Sequence, residues 1–420
     1  MVDLKVVHLN SYENNGGAGR AASRLVGALQ QEGLDASLWV NYSFEAQPSQ
    51  YNFSKGLVPK FFTAVQIILE RILTKTRIKP VKIPFSIPFF GKDISQHPAL
   101  KEADIIHLHW INHAFLRPKD IAKLQKLNKP IVWTFHDSNA FTGGCHVRYA
   151  CTHFEQACGN CPIVKQPAPH DISHQIWNAK KQAYTGLELE VIAPSQWMAS
   201  SAKKSALFTK SPIHTIPNTL NTSVFAPSDK ALAREKLGLP ANSFLILSGF
   251  MPSANDKHKG ADLLVDALGI FGQSNAAELV VFGNRTAGDL PDFKFKTTFL
   301  GTITEEEKLA LCYAAADVFI TPSIEDNLPN TVLESLACGT PVVAFTTGGI
   351  PDMVTHQHNG YLAQGASPEE LAKGLAWVKN HANKAALSEA ARQTVLSTFS
   401  ETVVAQQHIK LYQSILENRA

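Results

Sequence analysis

Short apolar runs alternate with amphipathic stretches along the chain. Runs typical of buried strands occupy residues 4–9, 36–40, 104–110, 131–135, 189–194 and 213–216. A second series occupies residues 244–248, 279–283, 299–301, 317–320 and 341–344. Apolar positions with helical spacing follow many of these runs, as at residues 21–31, 197–207, 309–316, 368–380, 385–399 and 401–417. Strands that alternate with helices predict parallel sheets joined by crossover helices, which is an α/β fold.

The alternation occurs twice, and a polar, proline-bounded stretch at residues 217–228 separates the two series. Such a stretch is typical of a linker. A chain of 420 residues is also longer than a single hydrophobic core usually supports. We therefore predict two Rossmann-like domains, at residues 1–216 and 229–400, followed by a terminal helix at residues 401–420.

Composition narrows the class of protein. The chain is 45% hydrophobic and 18% charged, as globular proteins are, and its formal charge of +3 is too small to indicate a nucleic-acid partner. The first residues already read as a strand, and no apolar run reaches the roughly 18 residues needed to span a bilayer. Six cysteines in a chain of this length do not indicate a disulfide framework. We therefore expect a cytoplasmic protein.

The stretch at residues 322–343 carries the clearest candidate chemistry. A short strand leads into a polar loop, a helix is predicted to begin near Asn330 or Thr331 and to end before Gly339, and another strand follows. The open amides at such a helix start, at Asn330, Thr331 and Val332, attract phosphate. Two acids frame the spot, Asp326 and Glu334, and hydroxyl binding suits them. The plain alternative is an ordinary crossover with two solvated acids.

This stretch resembles the acidic motif of retaining glycosyltransferases of family 4, two glutamates eight positions apart. Asp326 stands where the family usually has Glu, Glu334 matches the second Glu, and the following CGTPVVAFTTGGIPDMV also resembles the family. The resemblance implies two Rossmann-like domains facing across a cleft (GT-B), with the terminal helix crossing back to the first domain. It also implies a nucleotide-diphosphate-sugar donor, retention of anomeric configuration and no cofactor for catalysis.

The resemblance assigns roles in the second domain. It implies that Asp326 holds a sugar hydroxyl, that Glu334 holds the ribose hydroxyls and that Lys259 grips the diphosphate. The family's phosphate-binding Arg is missing, since Phe250 stands in its place. Either Lys257 or His258 substitutes for it, or phosphate binding is weaker.

Strand ends in the first domain supply further candidates, because ligands sit beyond the carboxyl ends of parallel strands. A glycine-rich turn follows the first strand, and the resemblance places Gly16 and Gly17 beside the donor diphosphate and the acceptor. Polar residues end two later strands: His107, His109, Asn112, His113, His136 and Asp137. His136 looks like the family's catalytic His that faces the sugar, where an imidazole can donate to a hydroxyl and stabilise charge.

A basic amphipathic insertion occupies residues 55–92. Its apolar positions share one helical face: Phe61, Phe62, Val65, Ile68, Leu69, Ile72 and Leu73. Its basic residues are opposed only by Glu70: Lys55, Lys60, Arg71, Lys75, Arg77, Lys79 and Lys82. Such a helix either lies on an anionic membrane surface or packs on its own sheet with solvated charges. The resemblance favours the membrane, since many enzymes of the family act on lipid-linked acceptors.

Four cysteines fall within residues 145–161: Cys145, Cys151, Cys158 and Cys161. In a reducing compartment such a cluster indicates a structural zinc site, with His146 and His153 as alternative ligands. Free thiols and disulfides are the other interpretations. The loop follows His136, so we expect it to shape the acceptor side.

The sequence therefore predicts a retaining glycosyltransferase that acts on a glycan or lipid-linked acceptor, with cell-surface polysaccharide synthesis implied by the resemblance. Two alternatives stay open. One is a sugar-nucleotide epimerase on the same architecture, which the tandem motif SIEDNLPNTVLE disfavours. The other is a non-catalytic, transferase-like scaffold, supported by the missing Arg.

Overall fold

The computed structural model describes residues 4–43, 51–80, 83–250, 257–272, 276–283 and 291–419. The chain divides into two compact units, each built on one parallel sheet. Unit 1 comprises Met1–Thr219 with Val404–Ala420, and unit 2 comprises Leu220–Val403. The α/β prediction is confirmed for both units.

Unit 1 contains a sheet of seven parallel strands in the order β3-β2-β1-β4-β5-β6-β7. The strands are β1 (Lys5–Tyr12), β2 (Asp35–Tyr42), β3 (Tyr51–Asn52), β4 (Ile105–Leu108), β5 (Ile131–Thr134), β6 (Leu189–Ala193) and β7 (Ile213–Thr215). The order reverses between β1 and β4, which are hydrogen-bonded neighbours. In open α/β sheets this reversal is where ligands bind.

The helices of unit 1 connect these strands. They are α1 (Gly16–Gln31), α2 (Leu57–Arg77), α3 (Pro98–Glu102), α4 (Pro118–Lys123), α5 (Ile172–Tyr184) and α6 (Gln196–Lys204). Apolar clusters cover both faces of the sheet, because successive strand residues such as Val6 and Val7 point to opposite sides. The terminal helix α13 (Glu401–Glu417) adds Val404 and Tyr412 to one of these clusters.

Unit 2 contains a sheet of six parallel strands in the order β10-β9-β8-β11-β12-β13. The strands are β8 (Phe244–Phe250), β9 (Ala277–Gly283), β10 (Thr297–Phe299), β11 (Val318–Thr321), β12 (Val342–Phe345) and β13 (Gly360–Ala363). Its helices are α7 (Lys230–Leu237), α8 (Ala261–Phe271), α9 (Glu306–Ala315), α10 (Asn330–Ala337), α11 (Pro368–Asn380) and α12 (Lys384–Thr398). The order of this sheet reverses between β8 and β11.

The predicted linker at residues 217–228 is largely part of unit 2 instead. Leu220 and Phe225 are fully buried in the unit 2 core. The amide of Leu220 also donates to the carbonyl of Phe399, 3.1 Å away. The boundary between the two units, Thr219 to Leu220, lies within the predicted linker, and two large apolar side chains of that stretch belong to the unit 2 core.

Helix α2 buries the opposite face from the one its sequence predicts for a packed helix. Its buried residues form a mostly polar stripe: Thr63, Ile67, Glu70 and Thr74. Its large apolar side chains are exposed: Leu57, Val58, Phe61, Phe62, Ile68, Leu69, Ile72 and Leu73. The helix therefore packs on unit 1, but through this mostly polar stripe rather than through its large apolar side chains. We call this exposed set the α2 apolar face.

Glu70 holds the buried side of α2 in place. Its carboxylate accepts hydrogen bonds from the amides of Ala114 (3.2 Å) and Phe90 (3.3 Å). Burial raises the pKa of Glu70 to about 7, although the amide bonds oppose that rise.

Among the described residues, every helix is too short or too polar to cross a bilayer.

Candidate active site

The acidic motif lies at the reversal of the unit 2 sheet. The loop after β8 ends at a short 3-10 turn, Lys257–Lys259, and the loop after β11 carries Asp326. Since β8 and β11 are paired neighbours, their carboxyl ends lie side by side. The predicted strand–helix–strand crossover of β11, α10 and β12 is present, with β11 and β12 parallel.

Two residues predicted for different roles are in direct contact. The Lys259 ammonium and the Asp326 carboxylate lie 2.7 Å apart, although 67 positions separate them in sequence. The side chain of Lys259 is 42% exposed and that of Asp326 is 18% exposed. A partly exposed ion pair contributes little to stability. An ammonium has three donors, so Lys259 can bind an anion while it keeps Asp326.

Two glycines allow the loops of this site to approach closely. A Cβ at Gly260 would lie 2.0 Å from the carbonyl oxygen of Pro322, and one at Gly348 would lie 1.7 Å from that of Asp326. Both glycines also have positive φ, +66° and +55°. The neighbouring Gly349 amide donates to the same Asp326 carbonyl at 3.1 Å. Asp326 is therefore held from its backbone as well as by Lys259.

Helix α10 begins at Asn330, as predicted, but its amides are not all open. The amide of Val332 donates to the carbonyl of Pro329 at 3.0 Å, and the Val332 side chain is buried. The Val332 amide is therefore engaged within the first turn of the helix, and its role in donor binding stays a prediction. Asn330 and Thr331 are half-buried.

Glu334 lies one turn into α10 and is only 1% exposed. Its carboxylate accepts a hydrogen bond from the Tyr313 hydroxyl at 3.0 Å. Burial and the neighbouring carboxylate raise the pKa of Tyr313 well above its usual value, so the hydroxyl stays a donor. A buried carboxylate with a fixed donor is oriented, which suits a group that recognises hydroxyls.

The phosphate-binding candidates near β8 are only partly described. The side chains of Phe250 and Lys257 lie outside the described part of the chain. His258 is buried, and its carbonyl accepts from the amide of Ile324 at 2.8 Å. His258 therefore joins the loop after β8 to the loop after β11.

In unit 1, Gly16 and Gly17 open helix α1 directly after the loop that follows β1. Gly16 has φ +79°, and a Cβ at either position would meet nothing within 4 Å. Space is thus available beside the helix start. The reversal of the unit 1 sheet puts this turn next to the end of β4.

His136 follows β5, and Asp137, the next residue, is held by three hydrogen-bond donors. The Asp137 carboxylate accepts from His146 Nδ1 (2.7 Å), Trp110 Nε1 (2.8 Å) and the Asn139 amide (2.8 Å). Burial raises the pKa of Asp137, but the His146 imidazole and these hydrogen bonds outweigh burial and hold that pKa below its usual value. Asp137 therefore fixes the loop that carries His136.

Sequence reasoning missed the true neighbour of His136. His136 Nε2 lies 3.0 Å from His109 Nδ1, and His109 Nε2 lies 3.0 Å from His8 Nδ1. Burial lowers the pKa of His8 to about 3 and that of His136 to about 4, and it lowers that of His109 well below the usual value. The signal available in the sequence was the alternation of His107, in β4, and His109, just beyond its end.

Other histidine candidates have structural partners. His107 lies 2.7 Å from both the Tyr412 hydroxyl and the Thr134 hydroxyl. His113 lies 2.8 Å from the Tyr12 hydroxyl. The carbonyl of Asn112 accepts from the Ser11 hydroxyl. These contacts join elements of unit 1.

Within the described part of the chain, none of the four cysteines of this loop forms a disulfide. Burial raises the pKa of Cys145 and Cys158 to about 12. Within the described residues, His8, His107 and His109 are the group that brings three metal-ligating atoms within 4.8 Å, and no cysteine belongs to it. The sulfurs as arranged therefore do not form a tetrahedral site, and zinc at this loop stays a prediction.

The alternative zinc ligands are also engaged elsewhere. His146 lies 2.7 Å from both Asp137 and the Ser86 hydroxyl. His153 Nδ1 lies 2.9 Å from the carbonyl of Gly159. His146 therefore has both ring nitrogens near oxygen atoms of the protein, whereas the contact of His153 is made by Nδ1.

Two family models match the chain. The model described as Glycosyltransferase Family 4 matches residues 15–224, which is half of the chain. The model described as Glycosyl transferases group 1 matches residues 245–380. The second match contains Lys259, Asp326 and Glu334.

Individual proteins are similar as well. WcaC of Escherichia coli, named as a colanic acid biosynthesis glycosyl transferase, is 25% identical over 59% of this chain and 60% of its own. For eight of the curated relatives, the matches cover between 36% and 60% of those proteins' lengths.

Solved structures share the whole fold. Sucrose-phosphate synthase of Thermosynechococcus elongatus has a TM-score of 0.67 and 18% identity, with 99% of this chain and 100% of that chain covered. HepE of Anabaena in complex with UDP-glucose has a TM-score of 0.61 and 18% identity, with 98% and 100% covered. These likenesses confirm the predicted GT-B class of fold.

Proposed function

Because this chain belongs to glycosyltransferase family 4, we propose that it moves a sugar from a nucleotide-diphosphate sugar to an acceptor hydroxyl with retention of configuration. The observation that carries the proposal is the Lys259–Asp326 contact at the sheet reversal of unit 2. It joins a cation suited to a diphosphate with a carboxylate suited to a sugar hydroxyl. Binding of UDP-glucose by HepE, which shares the fold, supports such a donor.

The proposed reaction breaks the bond between the anomeric carbon and the leaving phosphate oxygen, with the electron pair going to the diphosphate. The acceptor oxygen forms its new bond on the same face, and its proton passes to the leaving phosphate oxygen. This route needs stabilised phosphate rather than a protein nucleophile. A covalent carboxylate intermediate is the alternative. Asp326 is a poor candidate for it, since Lys259 already pairs with the carboxylate.

The chain's own residues divide this work. Lys259 binds the diphosphate, assisted by the start of α10 at Asn330 and Thr331. Asp326 binds a sugar hydroxyl. Glu334 accepts from the ribose hydroxyls while Tyr313 holds its carboxylate in place.

The test is release of free nucleotide from UDP-, GDP- and ADP-sugars. The variant Glu334→Gln keeps the shape of the side chain but loses the charge that strengthens hydrogen bonds to hydroxyls. We expect release from one donor and a loss of tenfold or more in this variant. The matched control is Glu389→Gln, an exposed residue of α12 in the same unit.

Two results would contradict the proposal. One is equal release by wild type and Glu334→Gln. The other is no release and no calorimetric binding of any free nucleotide, which would favour the scaffold alternative. Conversion of a donor to its epimer without nucleotide release would instead identify the epimerase.

We propose a glycan or lipid-linked acceptor, with cell-surface polysaccharide as the product class. The similarity to WcaC, whose name places it in colanic acid biosynthesis, supports this. A second observation supports an acceptor held at a membrane. The α2 apolar face is exposed, with Phe61 at 65% and Phe62 at 60%.

We further propose that the α2 apolar face binds an anionic membrane surface, which would make the protein peripheral to a bilayer. Basic residues lie in and beside the helix: Lys55, Arg71, Lys75 and Arg77 are exposed, and Lys60 and Lys79 are half-buried. Lys82 lies outside the described residues. The one acidic residue of the helix, Glu70, points inward, so no carboxylate of α2 opposes anionic headgroups. Apolar insertion and charge attraction then act together.

Flotation with phosphatidylcholine vesicles, with and without phosphatidylglycerol, tests this surface. We expect binding only with the anionic lipid and at least a tenfold loss in the double variant Phe61→Ser, Phe62→Ser. Ile270→Ser, an exposed apolar residue on α8, is the matched control. Folded wild-type protein that stays off anionic vesicles would overturn the proposal.

A structural zinc ion at Cys145, Cys151, Cys158 and Cys161 is proposed separately from the reaction. Binding would require the sulfurs to converge and the thiols to lose their protons, against the raised pKa values at Cys145 and Cys158. Metal analysis of the purified protein tests it. Below about a tenth of an equivalent of zinc, with all thiols titratable, the loop carries free thiols.

A further inference from the structure

We propose that His8 and His109 are positioning residues that hold the imidazole of His136 in the tautomer protonated at Nδ1. His136 would then meet the sugar as a hydrogen-bond donor from that nitrogen. This inference rests on the proposed function and on the resemblance, which implies that His136 faces the sugar. It assigns a role to His8 and His109, neither of which the family resemblance singles out.

The geometry is a row of three imidazole rings, His8, His109 and His136, across three neighbouring strands; we call it the three-histidine row. β1 pairs with β4, and β4 pairs with β5. His8 lies in β1, His109 follows β4 and His136 follows β5. The two links measure 3.0 Å each, from His8 Nδ1 to His109 Nε2 and from His109 Nδ1 to His136 Nε2. Both distances are those of hydrogen bonds.

Proton counting leaves two arrangements. Burial lowers the pKa of all three imidazoles far enough that each is neutral near pH 7 and carries a single N–H. Each link needs one N–H, so both links must point the same way. Either His8 donates to His109 and His109 to His136, or His136 donates to His109 and His109 to His8.

The buried end of the three-histidine row, at His8, decides between these two proton arrangements. His8 Nε2 is buried and has no hydrogen-bond partner among the described residues. If His136 were the first donor, that nitrogen would carry a buried N–H without an acceptor. Buried N–H groups without acceptors are rarer in proteins than bare acceptors. His8 Nδ1–H is therefore the first donor of the three-histidine row, and the single ring proton of His136 lies on Nδ1.

Two other histidines nearby, His107 and His408, have hydrogen-bond partners outside the three-histidine row. His107 stacks on His109 with ring centres 4.4 Å apart, but its own nitrogens face Tyr412 and Thr134. His408 faces the carbonyl of Val404 at 2.9 Å. His109 and His136 also line one pocket of unit 1, beside Asn218 and Thr219.

The first test reads the tautomer directly. Nitrogen-15 NMR of histidine-labelled full-length protein separates protonated from unprotonated ring nitrogens without any substrate. We expect His136 to carry its proton on Nδ1 from pH 6 to pH 8. Protonation of His136 at Nε2 in the wild type would overturn the proposal, whatever the activity of the protein.

Variants test the effect on the reaction. His8→Leu removes the first donor, whereas His8→Asn can replace the Nδ1–H with an amide N–H in nearly the same place. We expect His8→Leu to lower kcat about tenfold or more and to mix the His136 tautomers, with the donor KM changed less than about twofold. His8→Asn should restore both readouts. His408→Gln, which changes a buried histidine outside the three-histidine row, is the control.

A folded His8→Leu variant with the wild-type tautomer and kcat would overturn the inference. So would equal losses in His8→Leu and His8→Asn, since these would reflect packing alone. If no donor is turned over, the proposed function fails while the NMR result still decides the tautomer. The two failures are therefore distinguishable.

Discussion

Glu70 offers a pH-dependent test of how helix α2 is attached. Its carboxylate is buried on unit 1 and accepts from the amides of Ala114 and Phe90. Burial raises its pKa from 4.5 to about 7. The folded protein therefore binds the Glu70 proton more tightly than the unfolded chain does. Stability from this group is fully present below pH 4.5 and is lost as pH rises through 7.

The magnitude follows from the size of the shift. At roughly 1.4 kcal/mol per pKa unit, the loss between low pH and pH 8 is about 3 kcal/mol. Glu70→Gln removes the titrating group, so this part of the pH dependence should disappear. The amide has one acceptor oxygen, so the variant also loses one of the two hydrogen bonds, worth about 1 kcal/mol. We expect Glu70→Gln to be less stable than wild type at pH 5 and more stable at pH 8.

Urea unfolding followed by tryptophan fluorescence at pH 5 and pH 8 measures this crossover. Hydrogen exchange of α2 should show the same crossover locally, because Glu70 lies on its buried stripe. Glu417→Gln, an exposed residue of α13, should leave the pH dependence unchanged. If Glu70→Gln follows the wild-type pH profile, the carboxyl does not titrate as inferred and the reasoning is refuted.

Three further outcomes test unit 2. Gly348→Ala should lower the unfolding free energy by about 3 kcal/mol or more, because its Cβ meets the Asp326 carbonyl, whereas Gly365→Ala, with φ +64° but open space, should cost about 1 kcal/mol. Tyr313→Phe should cost about 1–3 kcal/mol in urea unfolding by leaving Glu334 without that donor; no loss would contradict the contact. Lys259→Ala should reduce donor kcat/KM at least about tenfold with stability unchanged, while exposed Lys236→Ala should match wild type.

The limits of many elements could be predicted from sequence because they depend on local signals. Helices α11 (Pro368–Asn380) and α13 (Glu401–Glu417) end where their apolar spacing ends. Helix α5 was missed because its sequence is mostly polar. Its signal was Asp171, whose side chain accepts from the amides of Ser173 and His174 at the helix start.

The sequence by itself determined the two α/β units, the family and the individual candidates Lys259, Asp326, Glu334 and His136. Periodicity, caps and motif spacing are properties of neighbouring residues, so they can be read along the chain. None of them states which distant residues touch. Pairing of Lys259 with Asp326 depends on β8 lying beside β11, which strand order alone decides.

Only the tertiary structure decided the partners and the exposed surfaces. The chain from His8 through His109 to His136 exists because β1, β4 and β5 are adjacent. Helix α2 has a strong apolar stripe, yet Glu70 and a polar stripe face the protein. An amphipathic pattern specifies that two faces differ, but the neighbouring surface decides which one is buried. For that reason the sequence left the membrane and packing interpretations of α2 open.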